Sequence, residues 1–156
     1  MSRYRDLQRV LHPDRFANAS DQEKRLSVQQ ASLVNDALDT LKDPVRRARY
    51  LLRLHGVDFD TQTETTHDVA FLMEQMALRE AIEKAPSAED PFAAIDALAI
   101  DIQQKIQTVL AQIAMHFETP DEKNLEEARE LIRKMQFLQK LHRDAEAIEE
   151  KIEDSI

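Results

Sequence analysis

The chain has one glycine, no cysteine and no tryptophan in 156 residues. Each shortage removes a class of protein. Tight β-hairpins, phosphate-cradling loops and dinucleotide fingerprints need glycine at fixed places, and a single glycine cannot supply them. Without cysteine there are no disulfides, zinc fingers or thiolate-bound clusters, which fits a reducing cytosol and predicts a cytoplasmic location. There is no N-terminal apolar run of signal-peptide length, so the sequence gives export no support. At 42% apolar and 33% charged, the composition fits neither a membrane span nor a disordered chain. A chain of this length buries roughly 70% of its unfolded surface, enough for one core or two small ones.

The charge is uneven. Residues 1–55 hold 11 Lys and Arg against 7 Asp and Glu; residues 56–156 hold 10 against 23. Such a division indicates two units with different partners, or a fluctuation in surface charge. The acidic half argues against nucleic acid, whose binders need a basic footprint. The basic half is too mildly charged to demand DNA and suits an acidic protein surface.

Helical spacing runs through most of the chain, and strand alternation is nowhere sustained. Tyr4, Leu7 and Leu11 share a face of a short first helix that must end near His12, because Pro13 disfavours helix at the residue before it. Asp14 to Ser20 read as loop. A second helix spans about Asp21 to Lys42, with Val28, Ala31, Val34, Leu38 and Leu41 on one stripe. Asp43-Pro44 caps a third, carrying Val45, Ala48, Leu51 and Leu52 to His55, and Gly56 stands where a left-handed residue ends a helix. Residues 57–66 are polar, lack periodicity and read as a linker. Thr65-x-x-Asp68 caps a fourth helix, about His67 to Lys84. Ala85 to Glu89 read as a turn. Asp90-Pro91 opens a fifth helix, and Thr119-Pro120-Asp121-Glu122 forms a capping box with proline first for a long sixth. The expected fold is all-α: a helical hairpin unit over 1–56, a linker over 57–66, and an antiparallel three-helix bundle over 67–156.

Two features carry functional chemistry. On the fourth helix, Val69, Leu72, Met73, Met76 and Glu80 fall within about 60° either side of one direction at 100° per residue, whereas Phe71, Leu78 and Ile82 lie opposite. A peripheral helix buries one face, so the methionine stripe is either an exposed binding patch or is covered by the N-terminal unit. Methionine is over-used at adaptable binding surfaces. Secondly, His12-Pro13-Asp14 follows a helix with Arg5 and Arg9 on the His12 face. Proline stiffens the loop and holds His12 and Asp14 in a defined geometry, a plausible docking element, although the tripeptide alone also reads as a simple helix stop.

Together the motifs resemble a known family. YRDLQRVLHPDRFA resembles helix II and the signature loop of a J domain. Followed by VQQASLVNDALDTLKDPVRRARYLL and AFLMEQMALRE, it resembles the HscB-type J-domain co-chaperones of iron–sulfur cluster assembly, from Tyr4 to the last helix. The resemblance implies an IscU-type cluster scaffold held by the C-terminal bundle and a DnaK-type chaperone (HscA) whose ATPase the J domain stimulates. It assigns chaperone binding to His12, Pro13 and Asp14 with Arg5 and Arg9. It assigns scaffold binding to Leu72, Met73, Met76 and Phe137, with Glu80 a nearby acidic contact, and so favours an exposed patch. Ala77 stands where the best-known members carry an acid. A J domain starts with a further helix, whereas this chain starts directly before the equivalent of the second. Tyr4, Leu7 and Leu11 then lose part of their cover, worth about 1.5–3 kcal/mol for each side chain left fully exposed. Either the gene begins upstream of Met1, or the protein keeps scaffold binding without chaperone stimulation; the intact loop favours the first.

No enzyme chemistry is expected. The five histidines are scattered, and no H-E-x-x-H occurs. Glu64-x-x-His67 is a single Glu-x-x-His, where a di-iron bundle needs two such pairs and two more glutamates. No carboxylate pair, nucleophile elbow or Ser/His/Asp arrangement is identifiable. The expectation is a non-enzyme with no catalytic residues, no metal, no cofactor and neither nucleic acid nor membrane as partner. The rival from a different class is an unrelated helical enzyme.

Overall fold

A computed structural model describes residues 2–60 and 65–156. Within them the chain forms six α-helices and no strand: α1 (Ser2–Leu11), α2 (Asp21–Lys42), α3 (Pro44–Leu54), α4 (Val69–Lys84), α5 (Pro91–Glu118) and α6 (Glu122–Asp154). The chain parts into two compact units, Met1–Tyr50 and Leu51–Ile156, so the division falls inside α3, ahead of the boundary expected at Gly56.

Helix starts follow from side chains that satisfy the free N–H groups of the first turn. Ser20 Oγ accepts from Glu23 N at 3.3 Å, Asp43 Oδ1 from Val45 N at 2.9 Å, and Asp90 Oδ1 from Ala93 N at 3.0 Å. Two starts differ from those expected. Asp68, not Thr65, caps the fourth helix, accepting from Phe71 N at 3.1 Å, and the helix opens at Val69 rather than His67. Asp121, not Thr119, caps α6, accepting from Asn124 N at 2.8 Å, which leaves Pro120 just outside the helix. In both runs two residue types able to cap compete, and the one nearer the helix takes the amide. Asp14 to Ser20 is not wholly loop either, since Pro13–Phe16 make a 3₁₀ turn.

Gly56 adopts φ +78° and ends α3 as expected. Val57 N donates to Leu52 O at 2.9 Å and Gly56 N to Arg53 O at 3.0 Å, the paired bonds of a Schellman ending.

In the first unit α1 and α2 form a hairpin around the Pro13–Phe16 turn. Tyr4 hydroxyl donates to Asn35 Oδ1 at 2.6 Å and so ties the two helices. The seam is narrow. On the expected α2 stripe Ala31, Val34 and Leu38 are half-buried, whereas Val28 and Leu41 are exposed, because one short helix covers only part of a 22-residue partner.

The second unit holds the main core, an antiparallel three-helix bundle. The short Ala85–Asp90 and Thr119–Asp121 connections bring α4, α5 and α6 side by side. Ile95, Ile102, Ile106 and Ile113 of α5 are buried with Ala128, Ile132, Met135, Leu138 and Leu141 of α6. Each of the larger side chains contributes about 1.5–3 kcal/mol by leaving water. Thr66, at the end of the expected linker, is buried, and its hydroxyl donates to the Glu130 carboxylate, so the bundle begins before α4.

Candidate functional sites

The proline corner is built by α1 and the turn after it. Pro13 cannot continue α1, so His12 leaves the helix at φ −58° and ψ 129°, and its ring caps the next turn. Asp14 N donates to His12 Nδ1 at 3.2 Å, which leaves Nε2 as the proton-bearing nitrogen of the neutral ring. His12 Nδ1 also lies 3.5 Å from Asp14 Oδ2, and the two side chains are 56% and 92% exposed. Behind them Arg15 donates to the carbonyl of Arg9 at 3.0 Å and fastens the turn to α1. Arg5 and Arg9 are exposed. The corner therefore presents the Asp14 carboxylate to solvent on a braced turn, in a unit that also exposes Arg5 and Arg9, an arrangement suited to recognising a polar, charged surface.

The second site lies on α4. Leu72, Met73 and Met76 are 36%, 67% and 72% exposed, with Val69 open beside them. The opposite face does the packing: Gln75, Leu78 and Ile82 are buried and Phe71 is half-buried. Glu80 is exposed and accepts from Lys84 at 2.5 Å, and this bond holds its carboxyl below the ordinary value. Phe137 of α6 is half-buried, and its ring meets Phe71 edge-on with centroids 6.4 Å apart. Four of the expected scaffold residues thus share the outer face of α4, and Phe137 adjoins the helix through Phe71.

Beside this face lies a polar network that local spacing in the sequence did not reveal. Asp68 Oδ2 accepts from Lys134 Nζ at 2.8 Å, and this bond, with the Phe71 amide on Oδ1, lowers the Asp68 pKa. Asp68 N donates to Thr66 Oγ1 at 3.2 Å. Burial works to raise the Glu130 pKa, but the Thr66 hydroxyl and Arg133 outweigh it, and the net shift is downward. On α5, Lys105 donates to Glu74 at 2.5 Å, and its pKa is raised by that bond. Gln75 is buried with its Nε2 unpartnered.

Two further histidines serve structure. His55 Nδ1 lies 2.8 Å from Leu51 O at the end of α3, and His116 Nδ1 lies 2.8 Å from Asn124 Oδ1 across the α5–α6 turn. His67 is exposed, and Glu64 of the single Glu-x-x-His run lies outside the described residues. Among the described residues no group of three or more His, Cys, Asp or Glu is placed to hold a metal ion. Nor is any described helix long and apolar enough to cross a membrane.

Comparison with known proteins now decides the family. The model of the HSCB C-terminal oligomerisation domain matches residues 67–146. A co-chaperone protein HscB homolog of Shewanella amazonensis is 43% identical over 97% of this chain and 87% of its own length. The chain belongs to the HscB co-chaperone family. A second HscB homolog, from Shewanella loihica, is 43% identical over 95% of this chain and 86% of its own. Among solved structures, chaperone HscB from Vibrio cholerae superposes with a TM-score of 0.86 at 39% identity, covering 97% of this chain and 86% of that one. Human co-chaperone HscB gives 0.79 at 34% identity, covering 99% and 71%. By name these relatives are co-chaperones, or in the Vibrio case a chaperone.

Proposed function

We propose that this HscB-family chain is an adaptor that holds an IscU-type cluster scaffold on α4 and delivers it to an HscA-type DnaK-like chaperone, whose ATP hydrolysis it stimulates. The observation that carries the reading is the division of α4 into a packed face and an exposed Leu72/Met73/Met76 strip. An apolar strip open to water is an unmet burial, and flexible methionines fit a partner's surface without a preformed pocket. Glu80 and Phe137 flank the contact. In the other unit Asp14 supplies an exposed carboxylate on a braced turn and Arg5 and Arg9 the cationic face that dock the chaperone. The chain performs no chemistry in this scheme: binding shifts the chaperone toward its hydrolysis-competent state.

Met73→Ala/Met76→Ala should weaken scaffold capture by about 1–4 kcal/mol, the range of central interface anchors. Titration calorimetry with purified scaffold measures it, and unchanged affinity overturns the site. Asp14→Asn should abolish stimulation of the chaperone's steady-state ATPase while leaving scaffold binding intact. The thin packing of the first unit, with Leu7 46% exposed and no buried residue in α1, favours a second reading. In it the chain captures the scaffold without stimulating ATPase, and no stimulation by the unmutated chain would select it.

A further inference from the structure

The strip on α4 occupies the half of that helix with the least apolar anchorage. Leu78 and Ile82, the buried apolar side chains of α4, both lie in its C-terminal half. Over Val69–Met76 the inward positions are the half-buried Phe71 and the polar Gln75. Hydrophobic packing therefore fixes the far end of α4 better than the end that bears Leu72, Met73 and Met76.

Charged side chains from the neighbouring helices meet this weak half. Lys134 of α6 donates to Asp68 Oδ2 at 2.8 Å, and its ammonium stands 5.4 Å from the centroid of the Phe71 ring. The other oxygen of Asp68 accepts the Phe71 amide, so one carboxylate joins the first turn of α4 to α6. The Phe71 ring then touches Phe137, itself on α6 three residues beyond Lys134. Lys105 of α5 holds Glu74 on the same half. A cation both bonded to a helix cap and placed over the ring that follows it restricts rotation of that helix end more than either contact alone.

We propose that Lys134 is a positioning residue for scaffold capture: through Asp68 and Phe71 it fixes the rotation of the first turns of α4 and the pose of Phe137, and so holds the strip ready for its partner. The inference rests on the reading of the strip as the scaffold site. A partly occupied binding-competent orientation weakens apparent affinity by the inverse of its population, so a clamp of small energy has a measurable effect on binding.

The test uses the full chain and purified IscU-type scaffold. Lys134→Met keeps the stem and removes the charge, Asp68→Asn keeps a capping oxygen and removes the charge, and Lys134→Arg keeps the charge. Lys134→Met should raise the scaffold dissociation constant about five- to tenfold, the effect of a competent population reduced by that factor. Amide exchange at Phe71–Met76 should accelerate by a similar factor, about five- to tenfold, while Ile132–Leu138 exchange is unchanged. Lys134→Arg should restore most of the affinity. Asp68→Asn/Lys134→Met should bind no worse than Lys134→Met, because Lys134→Met already removes the bond to Asp68. Unchanged affinity of Lys134→Met overturns the proposal, as does weakened affinity with faster exchange throughout α6, which would mark general loosening. Unchanged affinity of Met73→Ala/Met76→Ala overturns the site itself. Weakened affinity there beside unchanged affinity of Lys134→Met overturns only the positioning role.

Discussion

Gln75 shows how one residue reports on the two faces of α4. It lies on the inward side with Leu78 and Ile82, yet its Nε2 is buried without a partner, while Leu72 and Met76 nearby in sequence are exposed. A buried donor left unsatisfied costs about 1–3 kcal/mol, whereas an apolar side chain of similar size avoids that cost. Gln75→Met should therefore stabilise the second unit by about 1 kcal/mol, seen as a rise of about 4–8 °C in the melting temperature of that unit. A fall in melting temperature would show that the amide is satisfied in solution. Met73 and Met76 are the reverse case, apolar side chains left in water, and the sequence already separated them from Leu78 and Ile82 because helical periodicity is a local property.

At the scale of elements, the entry to α4 is held by carboxylates whose pKa values are lowered: Asp68 by the Lys134 bond and the Phe71 amide, and Glu130, despite burial, by the Thr66 hydroxyl and Arg133. A carboxylate with a depressed folded pKa adds stability that is complete above its unfolded value and disappears as pH falls through the folded value. The docking of α4 should therefore loosen below about pH 4, where free carboxylates protonate. Ring resonances of Phe71 and Phe137 followed by NMR should shift together in that window, and Lys134→Met should flatten the Asp68 part of the change. Invariant rings down to pH 2 would refute the coupling. Helix existence, the two faces of α4 and the glycine ending of α3 were legible in the sequence, since each depends on neighbours within a turn or two. The caps of α4 and α6 were misplaced because Thr65 and Thr119 offer the same chemistry as Asp68 and Asp121. The Asp68–Lys134 pair was not legible at all: its members stand 66 residues apart, and no local pattern joins them.

For the whole molecule, burial is divided unequally. Among the described residues of Met1–Tyr50 only Ser27, Val45 and Ala48 are buried, whereas Leu51–Ile156 contains the isoleucine and leucine core of α5 and α6. Local stability follows buried apolar contact, so the two units should not unfold as one. Hydrogen-exchange mass spectrometry should find α1 and α2 peptides exchanging roughly a hundredfold faster than those of α5 and α6, an opening free energy smaller by about 3 kcal/mol. A single cooperative transition seen equally by both sets would refute this. The partition also explains why the α2 stripe misled: Val28 and Leu41 have core spacing, but the thinly packed first unit leaves both exposed.

The exposed outer face of α4 has a redox consequence. Met73, Met76 and Met115 are open to solvent, whereas Met135 is fully enclosed. In a chain without thiols the exposed thioethers are the side chains that peroxide reaches first; each takes up one oxygen to become a sulfoxide, with water released. Brief peroxide treatment should oxidise those three and spare Met135, as peptide mass spectrometry would show, and scaffold capture should fall with sulfoxide at positions 73 and 76. Methionine sulfoxide reductases should return it, making the grip of this adaptor sensitive to oxidants.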